Sequence, residues 1–167
     1  MTMKSIGFVT GIVPYAFVML VGMANPAMAQ GTSDIDAVRA VNEAFYAALS
    51  AHNVGAAVVL WSFKTEIRHV GPHDTVIHFG LDAAVTSWKE LFAAFPELKI
   101  RCEPNYIRIN GNTAWVSAIE KAQWKNQVGE TKTETYFGTN IFERQEGEWL
   151  MVYRHASVVP HEVALGQ

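Results

Sequence analysis

The last third of the chain contains three long runs of strand-forming residues separated by two short glycine-containing turns, and this pattern constrains the fold most strongly. β-branched and aromatic side chains fill the runs, as is typical of β-strands. The predicted strands are Thr113–Gln127, Glu130–Arg144 and Glu148–Val158. Gly129 and Gly147 supply the positive φ angle that tight hairpin turns need. Each strand is about twice the usual length of 5–6 residues, so the sheet must coil and other elements must fill its concave side.

Helical periodicity appears in three places before these strands. The first predicted helix is capped by Ser33 and ends near Ala51. The second, Val54–Trp61, is short and so apolar that we expect it to be buried on most sides. The third covers Leu81–Phe95, with an apolar stripe along one face. These helices can fill the concave side of the sheet and leave a pocket at one end.

A small hairpin and one further strand complete the predicted order. The hairpin pairs Thr65–Val70 with Thr75–Phe79 through a turn at residues 71–74, and the further strand is Leu98–Ile109. Pro104 lies inside that strand and cannot donate to a ladder, so we expect an edge position or a bulge there. The order α-α-β-β-α-β-β-β-β, with helices gathered on one face of a sheet, indicates an α+β domain.

The N-terminal segment has the features of a secretory signal peptide. Lys4 is the only charged residue before Ala29, an apolar run covers residues 6–21, and Ala27 and Ala29 form a small-x-small cleavage pattern. Cleavage after Ala29 would leave residues 30–167 as a single periplasmic or secreted domain. The alternative is a membrane anchor, although the run is short for a span of about 20 residues. No second run of that length follows, so we expect no stable membrane insertion.

Composition argues against several classes of function. The chain has 13 Lys and Arg residues, Lys4 among them, and 16 Asp and Glu residues, so the part after Ala29 has a net charge of −4. That acidic balance, without a basic stripe, argues against nucleic-acid binding. Cys102 is the only cysteine, so no internal disulfide can form. The sequence lacks CxxC, HExxH and glycine-rich phosphate-loop motifs, and we therefore predict neither a metal nor a cofactor.

Apolar residues lie on both faces of the long strands, whereas the helices can cover only one face. We therefore expect the outer face to meet a second copy of the protein in a homodimer; the alternative is a monomer with exposed aromatic residues. On the last strand, strict alternation places Val152 and Arg154 on one face and Trp149, Met151 and His155 on the other.

Residues 147–157 read Gly-Glu-Trp-Leu-Met-Val-Tyr-Arg-His-Ala-Ser, and this run resembles the end of SnoaL-like members of the nuclear-transport-factor-2-like superfamily. Those proteins commonly end with Gly-x-Trp, a few apolar residues and His-x-Ser. The run from Trp61 to Pro72, with Gly80 opening a helix, also fits, and the resemblance extends over Asp34–Pro160. Ketosteroid-isomerase-like and polyketide-cyclase-like proteins and the calcium/calmodulin-dependent kinase II association domain look similar.

The resemblance implies a cone-shaped fold in which a curved antiparallel or mixed sheet wraps around a long N-terminal helix, often as a dimer. It implies a pocket in the cone but no single reaction, because this fold hosts enzymes, binding proteins and assembly domains. Glu120 and Asn140 match positions where the kinase association domain has arginines that point into its pocket. The resemblance therefore implies where the pocket lies, and not the same ligand.

Residue chemistry supplies the candidate roles. Glu120 and Arg154 are charges inside apolar alternation, so they either form a base and a substrate-orienting cation or a structural ion pair. His69 could relay a proton at the mouth of the cone, or be an ordinary hydrogen-bonded histidine. The predicted catalytic residues are Glu120, His69 and Tyr136. The predicted ligand-binding residues are Arg154, Asn140, Trp124, Trp61 and Trp88. We assign no role to His73, His78 or His161.

Two functions are compatible with these residues. The first is a cofactor-free enzyme that carries out proton transfer (isomerisation, cyclisation, dehydration or hydrolysis) on a small apolar molecule with a carbonyl or hydroxyl group. In it, Tyr136, Asn140 and Arg154 would stabilise a developing negative oxygen. The second is a non-catalytic periplasmic binding or assembly module in which Arg154 holds an anionic ligand. The geometry of Glu120 and Arg154 should discriminate between them.

Overall fold

A computed structural model of the chain describes residues 26–160, with side chains described from residue 34 onward except at residue 105. Most of the predicted signal peptide and the tail with His161 lie outside the described residues. The helices are α1 (Pro26–Ser50), α2 (Val54–Val58) and α3 (Leu81–Ala94). The strands are β1 (Arg68–Val70), β2 (His78–Phe79), β3 (Lys99–Asn110), β4 (Thr113–Lys125), β5 (Thr131–Gln145) and β6 (Glu148–Val158). The predicted order of elements and the α+β class are confirmed.

The six strands form one mixed sheet in the order β2-β1-β6-β5-β4-β3. All neighbours are antiparallel except β1 and β6, which are parallel. Gly129 and Gly147 occupy the predicted turns with φ angles of 82° and 93°. The ladder slips by one residue beyond Pro104 in the edge strand β3, which confirms the bulge predicted there.

A second bulge changes which side chains of β6 face inward. Ile141 pairs with Tyr153 and Phe142 pairs with Met151, so Val152 is the extra residue. Trp149 and Met151 are therefore buried on the same side as Arg154, and their predicted position on the opposite face is wrong. Strict alternation fails because an inserted residue reverses the phase of every side chain beyond it.

The concave face of the sheet packs against α1 and α3, and α2 packs against those two helices. Val38, Phe45 and Leu49 lie at helical spacing on α1 and are buried, as are Trp61 and Trp88. Burial of each such large apolar side chain contributes about 1.5–3 kcal/mol. Helix α1 begins at Pro26 rather than at the predicted Ser33 cap, since the intervening residues are mostly good helix formers and proline is tolerated in a first turn.

The segment between α1 and α3 is less regular than predicted. Helix α2 has five residues, and Val59, placed inside a buried helix by prediction, is 62% exposed just beyond it. One turn of helix can bury only one face, here that of Ala57. β1 is also shorter than predicted, because the Ser62 hydroxyl accepts the backbone N–H of Thr65 and holds the chain in a turn.

No helix among the described residues is long and apolar enough to cross a membrane.

Candidate functional site

A cavity of about 350 Å³ lies between the concave face of the sheet, α3 and the connection between β1 and β2. Most of its wall is apolar. Its apolar lining includes Leu49, Trp88, Leu91, Phe95, Ile100 and Trp124. Polar residues line its inner end, and others line its rim at residues 71–78.

The inner end of the cavity is formed by an ion pair between Glu120 of β4 and Arg154 of β6. Arg154 Nη2 donates to Glu120 Oε2 at 2.6 Å, and the two side chains are 4% and 1% exposed. Strand β5 lies between them, and it carries Gly138 where the pair crosses. A Cβ atom at Gly138 would overlap Glu120 Oε1 and lie 3.0 Å from Cγ and Cδ. Because Gly138 has no side chain, the carboxylate of Glu120 has room at this point of the sheet.

Tyr46 of α1 occupies the other oxygen of the same carboxylate. Its hydroxyl donates to Glu120 Oε1 at 2.5 Å and accepts from Asn140 Nδ2 at 3.0 Å. Asn140 Nδ2 also donates to Asn42 Oδ1 at 2.7 Å, and Asn42 donates to the sulfur of Cys102. Burial, and next the negative charge of Glu120, raises the pKa of Tyr46 well above its usual range. The hydroxyl therefore stays protonated and keeps donating.

These bonds limit what Glu120 can do as a base. Oε1 accepts from the hydroxyl of Tyr46 and Oε2 from the guanidinium of Arg154, so uptake of a proton by Glu120 would disrupt one of these bonds. Burial lowers the pKa of Arg154, but attraction to Glu120 and Tyr46 outweighs that and leaves its pKa raised, so the guanidinium stays charged. The arrangement fits the structural alternative for this pair better than the catalytic one.

His69 of β1 is a neutral hydrogen-bond donor at the same end of the cavity. It is 3% exposed, and burial, followed by the charge of Arg154, lowers its pKa well below the usual range. Its Nε2 accepts from Trp88 Nε1 at 3.2 Å, so the proton of the neutral ring is assigned to Nδ1. Nδ1 is buried and has no hydrogen-bond partner among the described residues, and the same is true of Arg154 Nε. The parallel ladder pairs His69 directly with Arg154, so two such donors belong to adjacent residues that both line the cavity.

The rim carries two histidine–carboxylate pairs that sequence patterns did not reveal. His78 Nε2 lies 3.1 Å from Asp74 Oδ2, and His73 Nε2 lies 3.0 Å from Glu134 Oε2. The hydroxyl of Tyr136 donates to Glu134 at 2.8 Å, and burial, then this bond, raises its pKa. A pattern of one histidine and one acid in a turn is too common to predict such pairs without coordinates.

The structure brings six of the predicted site residues together around the cavity and places two elsewhere. The six are Glu120, His69, Tyr136, Arg154, Trp124 and Trp88. Asn140 lies in the buried network with Asn42 and Tyr46 rather than in the cavity lining. Trp61 is not part of the cavity lining and packs against Phe45 and Trp88, with ring centroids 5.7 Å from each.

Tyr46, Asn42 and Gly138 are functional-site residues that sequence reasoning missed. The sequence did contain a signal for Asn42, because its polar amide lies on the face of α1 that is otherwise apolar. Among the described residues, no three His, Cys, Asp or Glu side chains are grouped to hold a metal ion.

The profile of the SnoaL-like domain matches residues 38–162, which is most of the chain. This chain belongs to the SnoaL-like domain family. No curated protein matches the SnoaL-like chain significantly.

Solved structures share the fold of this SnoaL-like domain at low sequence identity. A candidate dehydratase of the nuclear-transport-factor-2-like family from Streptomyces avermitilis has a TM-score of 0.71 at 20% identity, covering 77% of this chain and 98% of that one. A candidate calcium/calmodulin-dependent protein kinase type II association domain from Thiobacillus denitrificans has a TM-score of 0.64 at 20% identity, covering 73% and 94%. A ketosteroid isomerase-like protein from Erwinia carotovora atroseptica has a TM-score of 0.65 at 14% identity, covering 76% and 97%.

Proposed function

We propose that this SnoaL-like protein binds a small, largely apolar molecule with a carbonyl or hydroxyl oxygen, and promotes proton transfer on it without a cofactor. The observation that carries the proposal is the Nδ1–H of His69, which is buried without a protein partner at the polar end of an apolar cavity. An unsatisfied buried donor costs about 1–3 kcal/mol. A ligand oxygen that accepts from Nδ1 would recover that free energy.

Cavity size and charge both support a compact, uncharged ligand. A volume of about 350 Å³ lies at the lower end of the range for small-molecule sites, about 300–1,000 Å³. Arg154 is neutralised by Glu120, so it has no free charge to hold an anion. The predicted binding of an anionic ligand by Arg154 is therefore not part of the proposal.

The same donors suit a reaction in which negative charge develops on the ligand oxygen. N–H groups already oriented toward such an oxygen stabilise it in the transition state without reorganising. His69 Nδ1 and Arg154 Nε are the two buried nitrogens at the inner end that have no hydrogen-bond partner among the described residues. Structures with the same fold include a candidate dehydratase and a ketosteroid isomerase-like protein, names that imply proton movement next to an oxygen-bearing carbon.

A non-catalytic binding module is the second candidate, and the sealed pair of Glu120 and Arg154 favours it. In that case the cavity would hold its ligand through His69 and the apolar wall alone. Turnover of a bound ligand separates the two candidates, and ligand binding is common to both.

Binding can be measured by calorimetry with two probes of nearly the same shape, 2-tetralone and tetralin. We expect the ketone to bind about fivefold more tightly, which corresponds to one hydrogen bond of about 1 kcal/mol to His69. His69→Phe should remove the preference, whereas His155→Gln, an exposed histidine on the outer face, should preserve it. Equal affinities for the ketone and the hydrocarbon in the unaltered protein, or no binding of either, would refute the proposed ligand class.

We further propose that the protein is exported and forms a dimer through the outer face of the sheet. Phe137 on that face is 53% exposed. Ile119 of β4 is its direct partner in the ladder, and Ile141 lies four residues further along β5 on the same face. Mass spectrometry of periplasmic protein should give a chain that begins at Gln30, and sedimentation velocity should give the mass of two such chains. An uncleaved chain would contradict export, and a monomer at micromolar concentration would contradict the dimer.

A further inference from the structure

His78 lies beside His69 because of how β1 and β2 pair. The two residues are direct partners in the antiparallel ladder, so their side chains point to the same face. Their ring centroids are 5.8 Å apart, and both residues line the cavity. His78 is less enclosed than His69, with 19% of its side chain exposed.

Asp74 lies beside the ring of His78. Its Oδ2 lies 3.1 Å from His78 Nε2 and also accepts the backbone N–H of Gly71. A Cβ atom at Gly71 would lie 3.0–3.3 Å from the carboxylate atoms, so glycine leaves room for this closed turn. In the neutral tautomer that carries its proton on Nε2, the nitrogen beside Asp74, the lone pair is on Nδ1.

Four other titratable groups that line the cavity are less suited to accept a proton. Glu120 is bonded through both oxygens, and Nε2 of His69 already accepts from Trp88. Tyr136 is held protonated by burial and by its bond to Glu134. His73 also pairs with a carboxylate, but 63% of its side chain is exposed at the outside of the rim.

We propose that His78, oriented by Asp74, is the acid–base group of this cavity, acting on the carbon next to a ligand carbonyl whose oxygen is bound by His69. This inference rests on the proposed function. In the step, Nδ1 of His78 takes a proton from that carbon, the C–H electron pair forms a C=C bond, and the carbonyl π electrons move to the oxygen. The resulting enolate accepts from His69 Nδ1–H, and the imidazolium of His78 is stabilised by Asp74. Return of the proton to the same or a conjugated carbon regenerates neutral His78.

Deuterium exchange of 2-tetralone tests this step, since each exchange event requires removal of one proton next to the carbonyl. Proton NMR in D₂O measures the loss of the signals from the CH₂ groups next to the carbonyl, with the rate in buffer alone subtracted. His78→Gln should lower the protein-dependent rate by about 100-fold or more, while calorimetry gives an unchanged affinity for 2-tetralone. His155→Gln is the matched control and should exchange like the unaltered protein.

Asp74 is a positioning residue, and its role is tested by non-additivity. Asp74→Asn should lower the exchange rate by about tenfold or more, and adding it to His78→Gln should cause no further loss, because both changes remove one functional unit. If the two losses in exchange rate multiply in the double variant, Asp74 acts only on the structure of the loop. That result would overturn its assignment as a positioning residue.

The failures can be told apart. Rapid exchange by His78→Gln at full binding would overturn the role of His78 and leave the proposed function intact. Binding without any acceleration in the unaltered protein would leave only the binding module, and absence of binding would remove the proposed function itself.

Discussion

Replacing Arg154 with methionine is expected to reduce the free energy of unfolding by about 3–5 kcal/mol, because it leaves a charged carboxylate buried without its counter-ion. Glu120 is buried, and the hydroxyl of Tyr46 alone cannot replace an ion pair. Urea unfolding followed by tryptophan fluorescence measures the loss as a lower midpoint with an unchanged slope.

Two comparisons establish that the charge, rather than lost packing, causes this effect. The double variant Arg154→Met/Glu120→Gln should be more stable than Arg154→Met alone, since it no longer buries a charge. Lys121→Met removes an exposed partner of Glu103 on the same sheet and should cost less than about 1 kcal/mol. If Arg154→Met costs no more than Lys121→Met, the buried pair does not stabilise the fold as described.

Gly138→Ala is expected to destabilise the protein by about 2–4 kcal/mol, although it adds a single methyl group to a strand where alanine is normally tolerated. The new Cβ atom would overlap Glu120 Oε1, and this carboxylate cannot turn away without losing Tyr46 or Arg154. The measurement is again the urea midpoint.

Gly55→Ala is the matched control for Gly138→Ala. The nearest atom to a Cβ at Gly55 is Asn53 Oδ1 at 3.6 Å, an ordinary contact, and the residue is exposed in helix α2. Alanine there should be neutral or stabilising by up to about 1 kcal/mol. A Gly138→Ala variant as stable as Gly55→Ala would show that the carboxylate has room to move and that the network is loose.

The order of the elements was predictable because the signals for it are local. Glycine turns at positive φ, the apolar stripe of α1 and the alternation in β4 each depend on residues close together in sequence. The small residues of β4 on either side of Glu120 correctly placed its side chain on the concave face. The position of Pro104 similarly predicted the bulge in β3, since a missing N–H has the same consequence in any context.

The errors in strand pairing and in which side chains face inward occur where a residue's position depends on a partner strand. The extra residue Val152 has no sequence signal, yet it brings Met151 inward together with Arg154. The short strands β1 and β2 were predicted as a hairpin, but the pairing of β1 with β6 was not. That parallel pairing is what places His69 next to Arg154.

By itself, then, the amino-acid sequence determined the SnoaL-like order of helices and strands and the inward direction of Glu120, because periodicity and turn geometry are properties of neighbouring residues. Only the tertiary structure decided that Glu120 is bonded by Tyr46 and Arg154, and that His69 and His78 lie side by side over an apolar cavity. The physical reason is that hydrogen bonds and desolvation depend on distances of a few ångströms between residues far apart in the chain, and these distances exist only once the sheet has closed over the helices.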